Sequence, residues 1–138
     1  MMARFEMDGF DELLADMKRL GELSGDVADE MLMAGAEEVK KAWKDSAVRS
    51  GHRDTGDMID SIDFSRKPKT IGDIRAIEIF PQGKDSKGVR NAEKAFVLNY
   101  GKKNKAPSHW VDDADRASGE PVMQAMTEIW EKHLEGMK

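Results

Sequence analysis

Residues 26–46 alternate hydrophobic and polar positions with the period of a helix. Met31, Val39 and Trp43 share one side, while acidic and basic side chains fill the opposite side. The pattern predicts an amphipathic helix of about five turns. Nearer the N-terminus, the same spacing predicts a shorter helix over residues 9–21.

Helical spacing returns at the C-terminal end of the chain. Pro107 and Ser108 are suited to the start of a helix, and Gly119 is expected to interrupt it. Pro121 is a residue type favoured in the first helical turn, so it predicts a new helix over residues 121–138. The apolar side of that helix holds Val122, Met126, Ile129 and Trp130.

Two segments between the helices have the alternation of β-strands. Residues 62–66 alternate until Pro68, which ends a strand because proline cannot donate to the ladder. Residues 74–80 are rich in β-branched side chains and place Ile77 and Ile79 on one face. Since only a short connection joins the two strands, the simplest arrangement is an antiparallel hairpin.

The run of apolar residues within residues 92–100 has no decisive period, so it fits either a helix or a short strand. Asn91 is suited to cap this segment and Gly101 to end it. Two polar, lysine-rich stretches flank it, residues 84–90 and residues 102–105. We call them the first and second basic loops and expect both to be exposed and mobile.

The order of elements predicts an α+β fold, with N-terminal helices and a C-terminal helix packed on a small antiparallel sheet. A length of 138 residues fits one domain, composed of an N-terminal helix (1–24), a central α+β region (25–120) and a C-terminal helix (121–138). The side chains expected to be mostly buried are Val39, Trp43, Ile77, Ile79, Ile129 and Trp130.

Composition narrows the class of protein. Hydrophobic residues make up 39% of the chain and charged residues 36%, which is sufficient for a core. Cysteine is absent, so disulfides and thiolate metal sites are excluded. A net charge of −5 argues against a dedicated nucleic-acid binder. We expect neither a membrane-spanning helix nor a signal peptide.

The charge is unevenly distributed. The net charge is −6 in residues 1–46, +5 in residues 47–105 and −4 in residues 106–138. Solvated helix faces around lysine-rich loops would account for this. A basic segment between acidic ends also suits a surface that binds an acidic partner, such as another copy of the chain. The candidate assembly interface consists of Lys84, Lys87, Arg90, Lys102, Lys103 and Lys105.

No motif indicates catalysis. The histidines are far apart in sequence, and none forms a zinc-binding pair with another. Asp112, Asp113 and Asp115 would point in different directions on a helix, so they would not converge on a metal ion. The sequence therefore predicts no catalytic, cofactor or metal site.

Three short motifs occur in one order: residues 55–62, residues 95–101 and, after a basic stretch, residues 106–114. Together they resemble the HK-type gene-product-ten-like family, the tail-component or head-to-tail joining proteins of long-tailed phages and prophages. Asn99 and Lys102 stand where that family usually has Glu and Thr. The positions that match the family pattern are Thr55, Gly56, Ser61, Ile62, Tyr100, Gly101, Pro107 and Ala114.

The resemblance implies a non-enzymatic assembly protein of the virion. It would be a minor tail or neck component that joins or completes the head-proximal end of the tail as a ring, commonly of six copies. Its partners would be other copies of itself, tail-tube proteins and head-closure or connector proteins, with no cofactor, small-molecule substrate or membrane. It would be located in the virion and, during assembly, in the host cytoplasm.

Two other classes remain open on the sequence alone. A small nucleic-acid-binding or DNA-packaging accessory protein would use the basic residues 47–105, and its binding to DNA would depend steeply on salt. A small intracellular enzyme, such as a ribonuclease, would need clustered His, Glu and Arg side chains, and no such cluster is evident.

Overall fold

The computed structural model describes residues 3–5, 25–52, 56–65, 67–72 and 74–136. The helix predicted over residues 9–21 and the family-pattern residue Thr55 lie outside these ranges. The described elements are strand β1 (Ala3–Phe5), helix α1 (Gly25–Arg49), helix α2 (Asp57–Asp60), strands β2 (Ile62–Phe64), β3 (Lys69–Ile71) and β4 (Ile74–Pro81), and helices α3 (Asn91–Tyr100) and α4 (Trp110–Gly136).

Strand β4 is the centre of a small antiparallel sheet. It pairs with β1 along one edge and with β2 along the other, and β3 pairs with residues 74–76 at the beginning of β4. The predicted antiparallel pairing of the two strands is confirmed. The expected connection at residues 71–73 is shorter than predicted, because Gly72 turns with a φ of 62° and lets Ile71 pair directly with Ile74.

Helix α1 packs against β4 and β2 on one side and runs antiparallel to α4 on another. Val39, Trp43, Ile77 and Ile79 are buried, as predicted. Ile129 and Trp130 were also expected to be mostly buried, but they are only partly so. They lie near the end of α4, beside the first turns of α1, where the helix pair meets solvent. The observed architecture is α+β, as predicted.

Helix α4 differs from its prediction at its start and in its interior. It begins at Trp110 rather than at Pro107 or Ser108, because His109 has a positive φ of 57° that a helix does not accommodate. It also continues through Gly119 and Pro121 without a break. Proline removes one backbone donor, but the freed carbonyl belongs to an exposed turn that water can reach. Buried Val122 and Met126 hold the next turn on the core.

The undecided segment is helical: α3 spans Asn91–Tyr100, and Gly101 ends it with a φ of 79°. Asn91 was expected to cap this helix, but it does not. Arg90 occupies the cap position, and the buried Asn91 side chain donates through Nδ2 to the carbonyl of Gln82 at 2.9 Å. Asn91 therefore anchors α3 to the end of the sheet.

Candidate functional site

Two tryptophans join the end of α1 to the start of α4. The rings of Trp43 and Trp110 are both fully buried and meet edge to face, with centroids 5.6 Å apart. Ser46 Oγ donates to the carbonyl of Trp110 at 2.6 Å, and Trp43 Nε1 donates to Asp115 Oδ1 at 3.0 Å. Partial burial raises the pKa of Asp115 and outweighs this hydrogen bond, which lowers it. The beginning of α4 is therefore fixed on α1.

Asn99 joins the end of α3 to the same point. Its side chain is fully buried, and Oδ1 accepts the backbone N–H of Val111 in the first turn of α4 at 2.9 Å. This contact satisfies one of the helix N-terminal donors. In the sequence, Asn99 was noted only because the resembling family usually has a glutamate at this position. Asn99 lies at the end of α3, twelve residues before Val111, so no local capping pattern in the sequence signalled this role.

A groove of about 650 Å³ lies where α3, both basic loops and the connection after α1 meet. Its apolar lining includes Met58, Val89, Val97 and Leu98. Its polar lining includes His52, Glu93, Lys94, Lys102 and Lys105. The two basic loops, separated by α3 in the sequence, thus contribute to one concave surface. Such a surface is suited to an apolar side chain flanked by acidic groups.

The first basic loop is exposed, as predicted, but it is also internally bonded. Asp85 Oδ1 accepts the backbone N–H groups of Lys87 and Val89 at 2.9 and 2.8 Å, while Oδ2 pairs with Lys94 Nζ at 2.8 Å. The hydrogen bond from Lys94, followed by that from Val89, holds the pKa of Asp85 below its usual value. We expected a mobile loop, and these hydrogen bonds and the ion pair were not part of that expectation.

Some basic side chains of the described ranges form ion pairs, and others form none. Lys40, Lys69, Arg75, Lys94 and Arg116 form ion pairs with Asp63, Glu78, Asp29, Asp85 and Asp113, respectively. Within the described ranges, the six candidate interface residues form no ion pair, and all six are exposed. These are Lys84, Lys87, Arg90, Lys102, Lys103 and Lys105. Of these six, Lys102 and Lys105 line the groove, whereas the other four lie on the loops outside its lining.

His52 and Ser108 form a polar contact at the groove. The His52 Nε2 and Ser108 Oγ atoms are 2.9 Å apart, and Ser108 Oγ donates to the carbonyl of Leu98 at 2.8 Å. Because the serine has a single proton, Nε2 must be the donor towards Oγ. The imidazole is therefore not placed to take a proton from Ser108, and the pair holds the loop rather than activating a nucleophile.

Burial of the His52 ring, followed by the charge of Lys105, lowers the pKa of His52. The unfolded chain takes up this proton near the ordinary value of about 6.5, and the native protein only at a lower pH. Stability should therefore decrease as the pH falls from about 6.5 towards the native pKa. In the variant His52→Gln this part of the pH dependence should be absent from thermal unfolding curves.

A direct measurement checks the same assignment. The NMR titration of His52 should give a pKa below the ordinary value, and Lys105→Gln should raise it. A native pKa at or above about 6.5 would contradict the assignment.

Apart from Ala114, the family-pattern residues that the structure describes lie at or beside junctions between elements. Gly56 has a φ of 88° and precedes α2, and Ser61 Oγ donates to the carbonyl of Met58 at its end. Ile62, which opens β2, and Ala114 on α4 are fully buried. Tyr100, Gly101 and Pro107 surround the second basic loop. Pro107 lies before α4 and does not start it, contrary to the expectation.

Within the described part of the chain, no group of three or more His, Asp or Glu side chains is arranged to hold a metal ion. None of the helices described is both long and apolar enough to cross a membrane.

Comparison with known proteins gives one match. The family model described as "Bacteriophage HK97-gp10, putative tail-component" matches residues 11–113, which is more than half of the chain. No curated protein and no solved structure matches the chain significantly. The matched range includes α1, the whole sheet from β2 onwards, α3, both basic loops and the first residues of α4.

Proposed function

The chain belongs to the bacteriophage HK97-gp10 tail-component family, and from this premise we propose that it joins or completes the head-proximal end of a phage tail as a ring. A structural role in a phage tail follows from the family itself. The narrower role, the ring and the absence of enzymatic activity are our proposal. Its partners are neighbouring copies, tail-tube proteins and head-closure or connector proteins.

The observation that supports an assembly role is the concentration of six exposed basic residues on the two basic loops. Five basic side chains of the described ranges have acidic partners within the chain, so their charge is balanced locally. The six on the basic loops are exposed and form no ion pair with the described residues. Folding gives no reason for this concentration, whereas an acidic partner surface does. Complementary charge of this kind sets orientation and speeds association.

The proposal predicts a functional loss without unfolding. The triple variant Lys84→Glu, Lys87→Glu, Arg90→Glu should remain within about 0.5 kcal/mol of the wild-type free energy of unfolding, because the three side chains are exposed. In complementation of a phage that lacks the gene, this variant should abolish the joining of heads to tails. Electron microscopy of the lysate should show separate heads and tails.

A matched control has the same change of charge elsewhere. Lys41→Glu, Lys67→Glu, Lys132→Glu alters three exposed lysines outside the basic loops. This control should give normal virions. Normal virions from the loop variant as well would rule out an assembly role for the first basic loop. Failure of the loop variant to fold would instead show that the loop packs on the domain.

A further inference from the structure

The solvent side of α3 carries an aromatic pair. Phe96 is 47% exposed and Tyr100 is 53% exposed, and their ring centroids are 4.9 Å apart. Val89, 42% exposed, lies just before the helix and lines the groove together with Val97. Clustered exposed aromatic and aliphatic side chains of this kind mark interaction sites on soluble proteins, and Tyr and Phe are enriched there. We call Val89, Phe96, Val97 and Tyr100 the α3 face.

The surroundings of the α3 face are mostly basic, although the exposed Glu93 also lines the groove. Lys102 and Lys105 line the groove beside Val97, and the second basic loop follows Tyr100 after one residue. Residues 84–105 as a whole carry a net charge of +5. A partner for this face must therefore present an apolar side chain among carboxylates.

Helix α4 presents such a surface on its solvent side. Met123 is 53% exposed. Glu120 and Glu131 are also exposed and lie on the same side of the helix as Met123. Helix α4 has a net charge of −5. An exposed methionine is an adaptable apolar contact, since its side chain is unbranched and flexible. The solvent side of α4 therefore complements the α3 face in both charge and polarity.

We propose that the α3 face of one copy binds the solvent side of α4, around Met123, in the next copy. This inference rests on the proposed ring and identifies the two surfaces that would form it. Because the two surfaces differ, each copy can use one of each, which is the head-to-tail contact that closes a ring when the rotation allows. Contact between two α3 faces would instead bring like charges together, which is unfavourable.

The absence of cysteine from the chain allows a direct test by cross-linking. The single variants Phe96→Cys and Met123→Cys place one thiol on each surface at an exposed position. With a short bismaleimide at high protein concentration, a mixture of the two variants should give a covalent mixed dimer. Neither variant should give a dimer alone. As a matched control, Val48→Cys on α1 is 48% exposed and should not cross-link to Met123→Cys.

Charge exchange tests the specificity of the contact. Adding Glu120→Lys and Glu131→Lys to the Met123→Cys partner should abolish the mixed dimer. Adding Lys102→Glu and Lys105→Glu to the Phe96→Cys partner should then restore it. Circular dichroism of each variant checks that the fold is retained.

Three outcomes would overturn the inference. One is a dimer formed by Phe96→Cys alone, which indicates contact between two α3 faces. Another is no mixed dimer at the highest soluble concentration. The last is binding of a single-stranded oligonucleotide that Phe96→Ser abolishes, again without a mixed dimer. Failure of the proposed function would be seen separately, as normal tails from a phage that lacks the gene.

Discussion

Replacing Trp43 with alanine should lower the free energy of unfolding by about 3–5 kcal/mol, because a large, fully buried aromatic side chain is lost from the core. The variant also loses the edge-to-face contact with Trp110 and the hydrogen bond to Asp115. Chemical denaturation followed by circular dichroism measures the effect. A change below about 1 kcal/mol would show that the indole is not part of the core.

Trp130 provides the matched control for this prediction. It is the same residue type, but it is only partly buried at the margin of the pair formed by α1 and α4. Trp130→Ala should therefore cost clearly less than Trp43→Ala. Equal losses of free energy of unfolding would mean that Trp43 and Trp130 contribute equally to stability. That result would contradict the difference in their burial.

Replacing Gly101 with alanine should destabilise the second basic loop and the protein. Its φ of 79° and ψ of −179° lie in a region that is essentially restricted to glycine, which costs other residues about 1–3 kcal/mol. A Cβ atom there would lie 2.6 Å from the Lys105 carbonyl oxygen and 2.8 Å from the Pro107 nitrogen. Both are backbone atoms, so no side-chain rotation can relieve the contact.

The variant Gly88→Ala separates the cost of a positive φ from the cost of the steric contact at Gly101. Gly88 also has a positive φ, 82°, but a Cβ atom there would meet nothing within 4 Å. Gly101→Ala should therefore lower the free energy of unfolding by more than Gly88→Ala does. Hydrogen exchange should also become faster at the Lys102 and Lys105 amides, which bond to each other's carbonyls. Equal effects of the two variants would show that the chain relaxes around the new side chain.

The elements with a strong local pattern were predictable from the sequence. The period of residues 26–46 located α1 to within about a turn, and the β-branched residues around Ile77 located β4. Strand β1 was missed, because three residues are too few to show a period. Pro121 was misleading, since proline favours a first helical turn locally but is tolerated inside α4 at an exposed position.

The candidate site was predictable only as a set of charges. The lysines of the two basic loops could be recognised from composition, and their exposure is as expected. That Val89, Lys102 and Lys105 from the two loops line one groove depends on the packing of α3 against α2, α4 and β4, which no local pattern reports. The exposed Phe96 and Tyr100 were missed for the same reason. A run of apolar residues does not reveal which of them face solvent until the helix is placed.

The second basic loop has both ends attached to the same turn of α3. Gly101 N–H donates to the Val97 carbonyl at 2.8 Å, and Ser108 N–H donates to the Leu98 carbonyl at 3.0 Å. The lysines between them are therefore held near the groove before any partner arrives. Less backbone entropy is then lost on association than a flexible loop would lose. Binding to this loop should be limited mainly by the ordering of lysine side chains, so a partner need not fold the loop in order to use it.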